Sequence, residues 1–157
     1  MKAFLILFLI ITLIKKHRGQ PSWPTHTLCY QEDLQVYYTS CDPLQDVGLS
    51  IDPCNLLQKT VNLRMSILLR QAIEELHLSL HLYQNGRDIL EYDYNVCEPS
   101  FQRFLFCGRK RGELVSFDGP VKLPLKFIPP GHINARVSLL NQNQFALGCL
   151  NITVIKI

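Results

Sequence analysis

Apolar and polar residues alternate along most of this chain with a period of two. In VNLRMSILL, Val61, Leu63, Met65, Ile67 and Leu69 fall on one face; in ELHLSLHL, Leu76, Leu78, Leu80 and Leu82 stand against His77, Ser79 and His81. Successive side chains of an extended chain point to opposite sides, so both segments read as strands with one apolar face. Asn85-Gly86 follows the second strand, a dipeptide suited to the positive backbone angles of a type I′ turn, and residues 89–94 return as its hairpin partner. Further strands are expected at 34–41, 47–51, 104–106, 114–117, 121–127, 133–140 and 145–155, with turns at Gly119-Pro120 and Pro129-Pro130-Gly131. Only residues 70–75 hint at helix, one turn at most. Many short strands broken by Pro and Gly predict an all-β fold, a two-sheet antiparallel β-sandwich. It is immunoglobulin-like in architecture but not an immunoglobulin domain, because the single tryptophan, Trp23, precedes the cysteines instead of lying between a pair of them. No internal repeat or interdomain linker interrupts the pattern.

The N-terminus departs from it. Residues 3–14 are apolar except for Thr12, the length of a signal-peptide core and too short to cross a bilayer. Residues 1–19 are therefore expected to be a secretory signal, cut after Gly19, and 20–157 a single domain of 138 residues with a real core. Cutting there removes Lys2, Lys15, Lys16 and Arg18 and no acid, which turns a formal charge of +3 into −1. That balance says little about polyanion binding and leaves a nucleic-acid role to rest on a local patch alone, so no nucleic-acid partner is expected; no second run reaches transmembrane length.

Secretion changes how the cysteines read. Cys29, Cys41, Cys54, Cys97, Cys107 and Cys149 are even in number, lack any CxxC and match no zinc spacing, so three disulfides are expected, with fifteen connectivities open. In CEPSFQRFLFCGRKRGE, two of them flank an aromatic run that ends in Arg109, Lys110 and Arg111. Asn151-Ile152-Thr153 is a glycosylation sequon inside the last strand; a glycan there would put Asn151, Thr153 and Ile155 outside and Leu150, Ile152 and Val154 inside.

Catalytic chemistry finds no foothold. GxSxG, HExxH, GxGxxG and P-loop patterns are absent, and His77 and His81, four strand residues and roughly 13 Å apart, cannot share one metal. Glu74-Glu75 and the Glu91, Asp93 pair fall on turn or alternating-strand positions. No enzyme is expected, and no metal or organic cofactor. What the chain has in abundance is apolar inner face. Val47, Leu49, Ile51, Leu63, Met65 and Ile67 supply one part, Leu76, Leu78, Leu80 and Leu82 a second, and Phe117, Leu125, Phe127, Val137 and Leu139 a third. Such a lining either fills an ordinary core or encloses a pocket for acyl chains, and periodicity does not separate the two.

The cysteine order, CDPLQD at 41–46, VGLSIDPC at 47–54, FCGRKRGE at 106–113 and the terminal Cys149 resemble the lipid-recognition family. That family includes the Niemann-Pick C2 sterol carrier, the mite group-two allergens and the myeloid differentiation proteins; SWPTH at 22–26, SCDPLQD and FCGRKRGE are most similar to the last branch. The resemblance implies a sandwich with a lipid-accepting cavity between its sheets, and disulfides Cys29–Cys54, Cys41–Cys149 and Cys97–Cys107. It implies a ligand held mainly by its chains, a phospholipid, since each buried methylene contributes about 0.8 kcal/mol whatever the head group. Arg109, Lys110, Arg111, Lys122 and Lys126 are the implied rim or head-group candidates; the basic turn itself meets a lipid phosphate, an acidic receptor surface or water. The implied role is a secreted co-receptor subunit. It would be held at the cell surface by a leucine-rich-repeat Toll-like receptor homologue of B cells and modulate innate inflammatory responses to lipopolysaccharide. The alternative is a free lipid or sterol carrier without an obligate receptor.

Overall fold

The computed structural model describes residues 23–54, 60–101, 103–122 and 128–157. Among these residues nine antiparallel strands run β1 His26–Tyr30, β2 Leu34–Ser40, β3 Gly48–Asp52, β4 Thr60–Leu68, β5 Leu76–Gln84, β6 Arg87–Cys97, β7 Leu114–Lys122, β8 Gly131–Asn141 and β9 Ala146–Lys156. They form a six-stranded sheet in the order β1-β2-β9-β8-β5-β6 and a three-stranded sheet β3-β4-β7. This is the two-sheet sandwich that the alternation predicts. Asn85 and Gly86 both take positive φ, 53° and 74°, as a type I′ hairpin requires.

Four expectations are corrected. β1 was not anticipated, because HTLCY is short and the pairing of β1 with β2 slips between Thr27 and Cys29, which breaks the period of two. Residues 104–106 are successive turns, not a strand: the Cys107 amide bonds to the Phe104 carbonyl at 3.0 Å and the Arg109 amide to the Phe106 carbonyl at 3.3 Å. Gly119-Pro120 does not turn. The segments expected at 114–117 and 121–127 are joined as one strand through residue 122, and Pro120 is tolerated there because β7 is an edge strand, bonded on one side to β4 alone. Residues 70–75 cross between sheets as bends without helix.

The core sits between the sheets, and the backbones come closest where β1 passes β3. Tyr38, Val47, Ile67, Leu69, Leu147 and Leu150 are buried together, with Leu28 bridging to a second cluster of Cys29, Leu34, Val36, Ile128 and Ile133. Tyr38 ties the sheets by polar contacts as well: its hydroxyl donates to the Val47 carbonyl at 3.2 Å and accepts from the Leu49 amide at 3.1 Å. Burial drives its pKa above the ordinary phenol range. At the adjoining end the Asp42 carboxylate, buried, holds the Arg70 guanidinium, and Trp23 donates its indole N–H to the Asp42 carbonyl at 2.6 Å.

Disulfides join Cys29 to Cys54, Cys41 to Cys149 and Cys97 to Cys107, with Cα separations of 5.3, 5.0 and 5.6 Å, and no cysteine is left free among the described residues. Each closure stabilises by about 2–4 kcal/mol, largely by restricting the unfolded chain.

Candidate functional site

A sheet of six strands cannot be covered by one of three. The uncovered part lies along β5 and β6, and there the inner face behaves differently from the core. Leu76, at the start of β5, is buried; Leu78, Leu80 and Leu82 share its face but stay half-exposed and belong to neither packed cluster. Across the hairpin, Leu82 faces Leu90, Leu80 faces Tyr92 and Leu78 faces Tyr94. Leu90 and Tyr92 are 39 and 40 % exposed although they point inward. From the other sheet Leu63 and Phe117 complete the lining, also half-exposed and outside both clusters. Solvent therefore reaches between the sheets, and the site is an apolar slot whose lips are the edge strands β6 and β7.

The lip of β6 depends on one residue. A two-residue turn pairs Gln84 with Arg87 and Tyr83 with Asp88, and unbroken pairing would then set Leu82 against Ile89, Leu80 against Glu91 and Leu78 against Asp93. Instead the register shifts between Leu82 and Tyr83, and Ile89 is the extra residue of a β-bulge. The shift turns Leu90, Tyr92 and Tyr94 into the slot and sends Glu91 and Asp93 to the outer face.

One end of the slot is closed by the segment from Glu98 to Glu113, which crosses from β6 to β7 and is anchored by the Cys97–Cys107 bridge. Phe104 and Phe106 stack at 5.1 Å, and both meet the Phe117 ring edge-on at 6.0 and 6.3 Å. These rings floor a groove of about 390 Å³ whose walls include Arg103, Arg109, Leu105 and Leu114. Arg103 bonds the Tyr94 hydroxyl and lies 5.7 Å from the centroids of both Tyr94 and Phe101.

The residues singled out by sequence are distributed unevenly. Val47, Ile67 and Leu76 are buried in the packed core, with Leu49, Met65, Val137 and Leu139 against it and Ile51 in the second cluster. Leu63, Leu78, Leu80, Leu82 and Phe117 face the slot; Leu125, Phe127 and Lys126 lie outside the described residues, as does the segment 1–19. Arg109 reaches the groove, paired at 3.6 Å with Glu113, while Lys110 and Arg111 are exposed on the closing segment. Lys122 is corrected as a rim candidate. It alternates with inward Val121 and therefore points off the outer face of the three-stranded sheet, opposite Thr60. Asn151 is exposed on the outer face of β9, between Thr39 and Arg136 on the neighbouring strands. Arg103, Leu90, Tyr92 and Tyr94 were missed. The bulge hides the tyrosines from simple alternation, and Arg103 stands in no pattern at all. Among the described residues no group of three His, Cys, Asp or Glu could hold a metal, and no helix is long and apolar enough to cross a membrane.

Comparison with known proteins agrees with this architecture. The family described as ML domain matches residues 35–156. Lymphocyte antigen 86 of Mus musculus is 41 % identical over 153 residues, covering 97 % of this chain and 94 % of that protein; its Homo sapiens counterpart is 38 % identical over 159 residues, covering 98 % of each. Among solved structures, chicken MD-1 complexed with lipid IVa superposes with a TM-score of 0.80 at 38 % identity, covering 85 % of this chain and 98 % of that one. A Niemann-Pick type C2 protein from Japanese carpenter ant shares the fold at a TM-score of 0.50 and 12 % identity, covering 82 % and 96 %.

Proposed function

The chain belongs to the ML-domain family, and from that premise we propose that it is a secreted, non-catalytic lipid-binding co-receptor subunit acting in innate responses to lipopolysaccharide. The observation that carries this reading is the row of inward yet half-exposed Leu78, Leu80 and Leu82 opposite Leu90 and Tyr92. A monomeric soluble protein that leaves such a face wet loses the stabilisation of burying it, and acyl chains restore that stabilisation at about 0.8 kcal/mol per methylene. The chicken relative's complex with lipid IVa supports a lipid as the ligand. The slot carries no charged side chain among its described inner-face residues, so the chains bind inside and any phosphate stays at the lips.

The receptor is a leucine-rich-repeat Toll-like homologue of B cells, and the protein reaches the cell surface by binding it. Support for this part is the near-full-length similarity to lymphocyte antigen 86. Asn151 is exposed where a glycan would project, in keeping with a secreted glycoprotein.

Native mass spectrometry of the protein secreted from animal cells without detergent tests the lipid. A stoichiometric lipid mass, displaced in Leu80→Trp, is the expected result; an empty folded protein that also refuses added phospholipid overturns it. Receptor surface staining that is unchanged in cells lacking this chain overturns the co-receptor role and leaves the free lipid or sterol carrier.

A further inference from the structure

Phe117 borders two spaces at once. On the inner face of β7 it lines the slot, and it also floors the groove of about 390 Å³. That groove runs along the free edge of β7, since Ser116 and Asp118 of the outer face and Val115 and Phe117 of the inner face all contribute to it. Slot and groove are parted by a wall of rings: Phe104 and Phe106, stacked at 5.1 Å, each meet Phe117 edge-on, at 6.0 and 6.3 Å. Both are half-buried and rest on the packed core, whereas Leu105 between them stands in solvent. An acyl chain that follows Leu82, Leu80 and Leu78 toward the closing segment therefore ends against rings, with the groove behind them.

The two rings of the closing segment are not held alike. Phe106 is followed at once by a fixed main chain: Gly108 donates to the Ile73 carbonyl at 2.8 Å, the Ile73 amide donates to the Arg109 carbonyl at 2.9 Å, and Cys107 is bridged to Cys97. Ahead of Phe104 the described main chain bonds only within the segment, Phe101 to the Glu98 carbonyl at 3.2 Å and Arg103 to the Phe101 carbonyl at 3.0 Å. The contact that ties this half to the six-stranded sheet is the Arg103 side chain. Its guanidinium donates to the hydroxyl of Tyr94, on the inner face of β6, and lies 5.7 Å from the centroids of Tyr94 and Phe101. Arg103 forms no ion pair among the described residues, so its charge is engaged by a phenol and two ring faces. A planar guanidinium can stack and donate at the same time, which suits it to a tie of this kind.

We propose that Phe104 is the stop that fixes the length of acyl chain this slot accepts, and that Arg103 is the positioning residue that holds the stop in place. A methylene gains affinity only while it passes from water into apolar surroundings, so a chain that has reached the rings gains nothing by growing longer. Without the Phe104 ring, slot and groove become continuous and the chain runs on. Without the Arg103 tie, the half of the segment that carries Phe104 swings away from β6 with the same result. The proposal deepens the lipid-binding reading and rests on it.

The test is calorimetric titration of the secreted full chain, stripped of lipid, with saturated fatty acids of increasing length below their micelle concentrations; the carboxylate is common to the series and cancels. For the parent, affinity is expected to rise about fourfold per methylene and then to level off at a definite length. Phe104→Ala moves that break to chains longer by about two or more methylenes and leaves the shorter acids within about twofold of the parent. Phe104→Leu keeps most of the packing, so it folds even where the alanine variant does not, and moves the break by about one. Arg103→Gln and Tyr94→Phe each move it in the same direction, and combining them adds nothing. Leu105→Ser, on the same segment but facing solvent, leaves it where the parent has it. A break at the parent's length in folded Phe104→Leu and Phe104→Ala overturns the proposal, as does a parent whose affinity climbs without a break. A break moved by Phe104→Ala but not by Arg103→Gln overturns the role of Arg103. A folded parent that takes no fatty acid and no phospholipid overturns the lipid-binding reading itself, and this proposal with it.

Discussion

The two flanks of this sandwich are written in the same residues and end in opposite states. On the flank where β1 passes β3, Val36, Ile67, Leu69 and Leu150 are buried, Gly148 lets the sheets approach, and the Tyr38 hydroxyl and the Asp42–Arg70 pair tie the layers together. On the flank of β5, β6 and β7, Leu78, Leu80, Leu82 and Phe117 point inward with nothing packed on them tightly enough to exclude solvent. The difference is strand count. Six strands face three, so hydrophobicity alone closes only the side that has a partner layer. Leucine on an inner face is thus a statement about orientation, and whether it is core or lining is decided by what stands opposite.

The largest expected contrast comes from the same deletion made on each flank of the lipid-free protein. Leu69→Ala, at 2 % exposure, should cost about 3 kcal/mol or more in urea unfolding, because the site is close-packed and a cavity remains. Leu80→Ala should cost about 1 kcal/mol, since part of its surface is already wet and no new void is made. Equal costs would mean that the open flank is filled. A smaller contrast separates two glycines. A Cβ at Gly148 would lie 2.9 Å from Ile67 Cδ1, so Gly148→Ala should destabilise by about 1–2 kcal/mol and be partly rescued when Ile67→Val removes that methyl. On the open flank a Cβ at Gly119 meets Phe117 at an ordinary 3.5 Å, and Gly119→Ala should be nearly neutral.

The smallest effect belongs to Tyr38. Its folded pKa is raised by burial above the ordinary value of 10.0, so its stabilisation is complete below that value and is lost as pH rises through the higher folded pKa. The parent should therefore lose stability more steeply than Tyr38→Phe on going above about pH 10. Matching slopes in urea titrations would place the hydroxyl in water and unpick the tie it makes between the sheets.

Much of the fold was legible because period two is a local signal: β4, β5, β8 and β9 follow from it within a residue or two, and Asn85-Gly86 marks its hairpin. The misses arise where a local signal is outvoted. Pro120 reads as a turn until β7 is known to be an edge, and that is a fact about neighbours. Residues 104–106 read as a strand until the ten-residue disulfide loop forces them into turns. The site was half legible. Family resemblance pointed to an interior, and alternation pointed Leu78, Leu80 and Leu82 into it. Alternation also proposed Val47 and Ile67, which the closing flank consumes, and Lys122, which faces away. Arg103 carries no sequence signal, since its place is set by two rings, one of them on β6.

The bulge at Ile89 works as a parity bit for the entrance. Were Ile89 drawn into the ladder instead of left over, every later position of β6 would change sides. An oily lip of Leu90, Tyr92 and Tyr94 would become an acidic one of Glu91 and Asp93, and the opening would turn from admitting hydrocarbon to repelling phosphate. Deleting Ile89 would spare the lip, because Leu90 would then follow Asp88 and still meet Leu82. Along this strand, then, the counting of residues against the partner strand is itself a determinant of what enters, beside their chemistry.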